Sequence, residues 1–64
     1  MHQELSEKER EVAAGVAAGK SNKEIADDTG LAPSTVKDYV ANACRKTGCA
    51  NRAALAAWYA RSFG

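Results

Sequence analysis

Apolar side chains recur along this chain at intervals of three and four and never alternate at two, so the predicted elements are helices rather than strands. Val12, Ala13, Val16 and Ala17 make a first inward stripe. Ile25 and Ala26 make a short second one, and Val36, Tyr39, Val40, Ala43 and Thr47 a third. Leu55, Ala56 and Tyr59 make the inward face of a fourth. The helix ends are marked as well. Ser6-Glu7-Lys8-Glu9 spells a capping box, in which the serine hydroxyl accepts from an early backbone N–H and the glutamate reaches back to Ser6. It predicts a helix over 7–18, stopped by Gly19. A second box, Ser21-Asn22-Lys23-Glu24, predicts a short helix over 22–29, closed by Gly30. Leu31-Ala32-Pro33 turns into a third helix over 33–47, with Pro33 at the first helical position, where its missing N–H costs nothing. Gly48 ends that helix, and Asn51 caps a fourth over 51–62. Gly15 inside the first helix costs about 1 kcal/mol relative to alanine. Either another helix approaches closely there or the position is a weak spot.

Two helices joined by a turn of three or four residues containing Gly30 make a helix-turn-helix, so the predicted fold is an all-α, four-helix domain with the third helix as the reading element. At 64 residues there is room for one domain, which buries only about 60% of the surface its unfolded form exposes. Apolar content is 45%, but much of it is alanine. The large apolar side chains are Leu5, Val12, Val16, Ile25, Leu31, Val36, Val40, Leu55, Trp58, Tyr59 and Phe63. They suffice for one cluster and not for a cluster plus an enclosed catalytic pocket. Residues 1–4 are expected to be a flexible lead, whether a natural start or an expression remnant, and 5–64 the domain.

Function classes narrow from there. No apolar run approaches the roughly 20 residues of a membrane span, and no basic stretch followed by an apolar one marks a secretory signal. Zinc wants four ligands. Cys44 and Cys49, separated by four residues, have no second pair, and the one histidine, His2, lies in the lead. No metal or other cofactor is expected, and the cysteines read as reduced thiols of a cytosolic protein. An enzyme fits least, because there is no nucleophile–base pair, no metal set and no glycine-rich phosphate loop.

Net charge is only +1 but is unevenly spread. Residues 1–19 carry Glu4, Glu7, Glu9 and Glu11 against Lys8 and Arg10. Residues 31–64 carry Lys37, Arg45, Lys46, Arg52 and Arg61 against Asp38 alone. A basic second half is what a phosphate-binding surface requires. Stepping along the third helix at about 100° per residue puts Ser34, Asp38, Ala41 and Arg45 opposite the apolar stripe, flanked by Thr35, Lys37 and Asn42. That face is small or hydrogen-bonding throughout, which suits a major groove. Ser34, Lys37, Asp38 and Ala41 are the expected base-facing residues, Ala41 by allowing close approach; Asp38 can accept from a cytosine amino group. Thr35, Asn42 and Arg45 are expected on phosphates. Ser21, Asn22 and Lys23 join them from the second helix, whose free N–H groups and positive dipole end favour an anion. The plainer alternative is that any surface helix shows a polar outer face, and any exposed lysine is solvated.

Several stretches, taken together, match a known pattern. Leu5-Ser6-x-x-Glu9-Arg10-Glu11-Val12, Gly19-x-Ser21-Asn22-Lys23-Glu24-Ile25-Ala26, Thr35-Val36-Lys37 and Arg45-Lys46-x-Gly48-x-x-Asn51-Arg52 resemble the LuxR-type (GerE-like) DNA-binding domain over about residues 5–63. The resemblance implies a four-helix C-terminal domain of bacterial transcription regulators, often response regulators, or a stand-alone GerE-like regulator. It implies the third helix in the major groove of double-stranded DNA, backbone contacts from the second, a homodimer largely through the fourth, and RNA polymerase as a further partner. By position, Lys37 matches the lysine that typically touches DNA, Thr35 and Lys23 match backbone-contacting positions, and Asn51-Arg52 the usual start of the fourth helix. The chain departs from the pattern too. Asp38 stands where valine or asparagine is frequent and Tyr39 where histidine is common. Ala13, Gly15 and Thr47 replace bulkier apolar residues, and Ala32 replaces a capping serine.

The fourth helix is apolar on nearly every side, so more than one face is expected to be covered. Ala54, Ala57, Trp58 and Arg61 are the face open to a second copy; alternatively Trp58 completes the small core. The expected setting is the bacterial cytoplasm and nucleoid, with no membrane and no small-molecule ligand for this domain. Two rival readings stay open: a promoter-binding domain like sigma-factor region 4, and a protein-interaction module using the basic face and the fourth helix.

Overall fold

The computed structural model describes residues 5–63, so the lead expected over 1–4, His2 included, lies outside the described residues. Four helices follow in order: α1 (Glu7–Ala17), α2 (Asn22–Thr29), α3 (Pro33–Thr47) and α4 (Arg52–Phe63). No strand occurs among the described residues. Each helix starts where its local chemistry directs. The Ser6 hydroxyl accepts from the Glu9 N–H at 3.2 Å while Glu9 Oε1 accepts from the Ser6 N–H at 2.8 Å. Ser21 and Glu24 repeat the exchange at the same distances. Ala32 offers α3 no side-chain cap, leaving Pro33 to set its first turn. Asn51 Oδ1 accepts from the Ala54 N–H at 2.9 Å, and α4 proper begins one residue after its cap. α1 stops one residue short of the expected end because Ala18 is already its cap. At the centre of the turn between α2 and α3, Gly30 takes φ +74°, and the N–H groups of Gly30 and Leu31 both return to the Ala26 carbonyl. A side chain at that left-handed position would cost about 1–2 kcal/mol.

α1 is the hub and packs against each of the other three helices. The core is Val12, Ala13 and Val16 from α1, Ile25 and Ala26 from α2, Val36 and Ala43 from α3, and Leu55 from α4. Leu5, Leu31, Tyr39, Val40, Trp58 and Tyr59 pack around it, half-buried. Buried Thr47 satisfies its hydroxyl by donating to the Ala43 carbonyl at 2.8 Å. Gly15 resolves as a close approach: a Cβ built there would lie 2.6 Å from Ile25 Cγ1.

Two core expectations are corrected. Ala17 is exposed, because the buried arc of α1 is Glu9, Val12, Ala13 and Val16, and Ala17 lies about 90° from its centre at about 100° per residue. Phe63 is 51% exposed: in the last turn of α4 its ring leans on Trp58 and Tyr59, with ring centroids 5.8 and 4.8 Å away.

Glu9 belongs to the core as well as to the cap. It is 5% exposed, and the same Oε1 that accepts from Ser6 also accepts from Lys46 Nζ at 2.8 Å. Burial pushes the carboxyl up. The Lys46 hydrogen bond, the Ser6 N–H and hydroxyl, and the Lys46 charge outweigh that and hold its pKa below the ordinary carboxylate value.

Candidate nucleic-acid interface

The outer face of α3 is built as the stripe on its inner face requires. Val36, Ala43 and Thr47 are buried with Tyr39 and Val40 half-buried, so the opposite arc is turned to solvent. Ser34, Lys37, Asp38, Ala41 and Arg45 are exposed there, and Thr35 and Asn42 are half-buried at its margins. Asp38 pairs with neither Lys37 nor Arg45. The ion pairs among the described residues are Lys8–Glu11, Lys20–Asp28 and Lys46–Glu9. Arg45 instead donates to Asn42 Oδ1, one turn back along α3, which turns the Asn42 amide nitrogen the other way.

α2 packs against α3 and carries further exposed polar groups at its start. Ser21 and Lys23 are exposed, and Lys23 has no hydrogen bond or ion pair among the described residues. Ser21 uses its oxygen as a cap acceptor, so its hydroxyl proton is still available to a ligand. Lys20 is occupied differently. It donates to Asp28 two turns along α2, and that bond and charge raise its pKa.

One residue central to this corner carries no signal in the local sequence. The Arg52 guanidinium, at the start of α4, donates through Nη1 to Asn22 Oδ1 at 2.5 Å and through Nη2 to the Lys20 carbonyl at 2.7 Å. It thereby pins the segment leading into α2. It also sets the Asn22 carboxamide, because with Oδ1 committed to Arg52 the two N–H donors of Nδ2 point elsewhere. Arg52 reaches Asn22 across 30 positions of sequence, and only its place after the Asn51 cap hinted at any role.

α4 divides as expected on its inner side: Leu55 is buried, and Ala56 and Tyr59 are half-buried. Away from it Ala57 and Arg61 are exposed and Ala54 is half-buried, while Trp58, half-buried, packs against the core cluster. An open cleft of about 280 Å³ is lined by Glu7, Arg10, Glu11, Ala14 and Tyr59, all from α1 and α4, so it shares no residue with the α2–α3 face. Among the described residues no three His, Cys, Asp or Glu side chains gather as metal ligands, and no helix is long and apolar enough to cross a membrane.

Residues 3–59 match the family described as bacterial regulatory proteins, luxR family (GerE). Among curated proteins the chain is similar to the transcriptional regulatory protein UhpA of Escherichia coli and to that of Salmonella typhimurium. It is 44% identical to each over 52 residues, which is 81% of this chain and 26% of each relative. The chain thus spans about a quarter of the length of these relatives. No solved structure gives a significant match. With four helices, a turn at Gly30 and a basic, hydrogen-bonding face on α3, the chain belongs to the luxR family of bacterial regulatory proteins.

Proposed function

We propose that the domain docks α3 in the major groove of duplex DNA, with Ser34, Lys37, Asp38 and Ala41 facing bases and Ser21, Asn22, Lys23, Thr35, Asn42 and Arg45 on phosphates. The observation that carries this reading is the exposed α3 arc, holding Lys37 and Asp38 outside the ion pairs among the described residues, together with an exposed Lys23 at the start of α2. An uncommitted carboxylate beside phosphates is repelled unless it accepts from a base, so Asp38 selects cytosine through its amino group. Two copies meet through Ala54, Ala57, Trp58 and Arg61, and address half-sites about one helical turn apart. The setting is the bacterial nucleoid, with RNA polymerase as the further partner of a promoter-bound regulator.

Titration with duplex DNA at several salt concentrations tests the division of roles. Each phosphate contact contributes about 0.9 to the slope of log affinity against log salt. Lys23→Ala should weaken binding to all sequences about equally and lower that slope by about one. Lys37→Ala and Asp38→Asn should change the sequence preferred in a binding-site selection, at about 1–3 kcal/mol per altered base contact. Equal, sequence-independent losses for all three would contradict the assignment. A salt-dependent complex with a polyanionic protein as strong as that with DNA would favour an interaction module instead.

Arg52 acts in this scheme as a positioning residue. Arg52→Met should weaken DNA binding roughly tenfold, the loss of about one charge-assisted hydrogen bond. Once Arg52 is gone, Asn22→Ala should add little further loss. If the two losses simply add, Arg52 contributes to stability alone and not to the aim of the Asn22 amide.

A further inference from the structure

The turn that ends α3 holds two thiols at positions its backbone brings together. Gly48 takes φ 76°, and the N–H of Cys49 donates to the Cys44 carbonyl at 3.0 Å. This is the six-to-one bond of a Schellman turn, in which the side chains of the two bonded residues commonly meet in an apolar contact. Here both residues are cysteine, both are free and half-buried, and both pack against the same core cluster. A disulfide needs Cα separations of about 4.4–6.8 Å, and a single backbone hydrogen bond between the two residues holds them to that range. Burial, and then the charge of a Cys49 thiolate, push the Cys44 thiol above its ordinary value, so the two groups sense each other. The Cys44 thiol also lies on the α4 side of the turn, where it donates to the Asn51 carbonyl at 3.5 Å.

We propose that Cys44 and Cys49 form a reversible intramolecular disulfide that clasps the turn between α3 and α4, with a peroxide as oxidant and a small thiol as reductant. One thiolate attacks a peroxide oxygen, breaking the O–O bond and leaving a sulfenic acid and hydroxide, which takes a proton to become water. The second sulfur then displaces the sulfenic hydroxyl, which leaves with a proton as a second water. Two thiols are oxidised by two electrons and one peroxide is reduced to two waters. Thiol exchange with a small thiol in two steps returns both cysteines to the reduced form. The clasp ties the last turn of α3 to the residue after Gly48, replaces the Cys44 S–H bond to the Asn51 carbonyl, and leaves the groove-facing start of α3 untouched. Its direct consequence is a more stable turn, because a short loop is closed in the unfolded chain as well.

The test needs no DNA. The purified chain is treated with hydrogen peroxide, and its intact mass and free thiols are read before and after reduction. The expected product is a monomer lighter by two hydrogens, with no alkylatable thiol, that regains both on reduction and melts at a higher temperature than the reduced chain. Cys44→Ser and Cys49→Ser should each lose the mass change and take up oxygen instead. Should either variant fail to fold, the unsubstituted chain still decides the matter: ring closure should run faster in buffer than in concentrated urea, because the fold supplies the geometry. Closure that is faster in urea, or oxidation that yields only cross-linked dimers or sulfinic acids, would overturn the proposal.

Discussion

Gly15→Val should leave the domain largely unfolded, and Gly15→Ala should lower its stability by about 1–3 kcal/mol. A bare Cβ at position 15 meets Ile25 Cγ1 at 2.6 Å and Cδ1 at 3.1 Å. Ile25 is 1% exposed and β-branched, so its χ1 is stiff and it has nowhere to swing. Alanine recovers about 1 kcal/mol of helix propensity, which softens its effect without cancelling the overlap. Valine adds two methyl groups to the same contact. A core this small rarely supplies more than about 3–5 kcal/mol, so the larger overlap takes most of it. Thermal melts followed by far-UV circular dichroism decide the point. A Gly15→Ala protein as stable as the parent would show that α1 and α2 can separate at no cost.

Lys46→Met should cost about 2–3 kcal/mol near neutral pH, toward the low end for breaking a buried pair because Lys46 keeps some contact with water. The Glu9 carboxylate would then remain buried with only Ser6 to hold it. The pH dependence has a definite sign. In the parent the folded-state pKa of Glu9 is lowered, so the unfolded chain takes up the proton more readily. The stabilisation is complete above the ordinary carboxylate value and is lost as pH falls through the lowered, folded-state value. The difference between parent and Lys46→Met is therefore widest near pH 7 and closes in acid, where a protonated Glu9 no longer needs the lysine. Urea unfolding across that pH range measures it, and a difference that stays constant with pH would mean that the charge on Glu9 is not what Lys46 holds.

What could be read ahead of the structure was mostly what the chain encodes within four residues. Both capping boxes, the glycine stops, Pro33 at the head of α3 and the Asn51 cap are local hydrogen-bonding devices, and they fixed every helix boundary to within one residue. The inward and outward faces of α3 followed from its periodicity alone. The failures have one physical origin, since each depends on a neighbour supplied by tertiary packing. Glu9 looks like a cap and nothing more until Lys46, 37 positions away, is placed against it. Treating Glu9 as purely polar also rotated the expected stripe of α1 and drew Ala17 into it. Phe63 has the apolar side chain of a core residue, but its place in the last turn of α4 leaves the ring exposed. At the candidate site, exposure was legible and prior commitment was not: Asn22 and Asn42 both spend their amide oxygens on arginines, one of them from another helix.

Arg52 has a consequence for how the molecule opens. α2 has eight residues, too few to persist as an isolated helix, so its order is borrowed from its surroundings. The turn ahead of it takes part of that order from a guanidinium anchored in α4. Fluctuations that free this turn must therefore break the Arg52 anchor, which joins the start of α2 and the start of α4 into one cooperative unit of hydrogen exchange. Slow exchange at the Glu24 and Ile25 amides, which donate to the Ser21 hydroxyl oxygen and carbonyl, thus reports on the seating of a helix that begins only at Arg52.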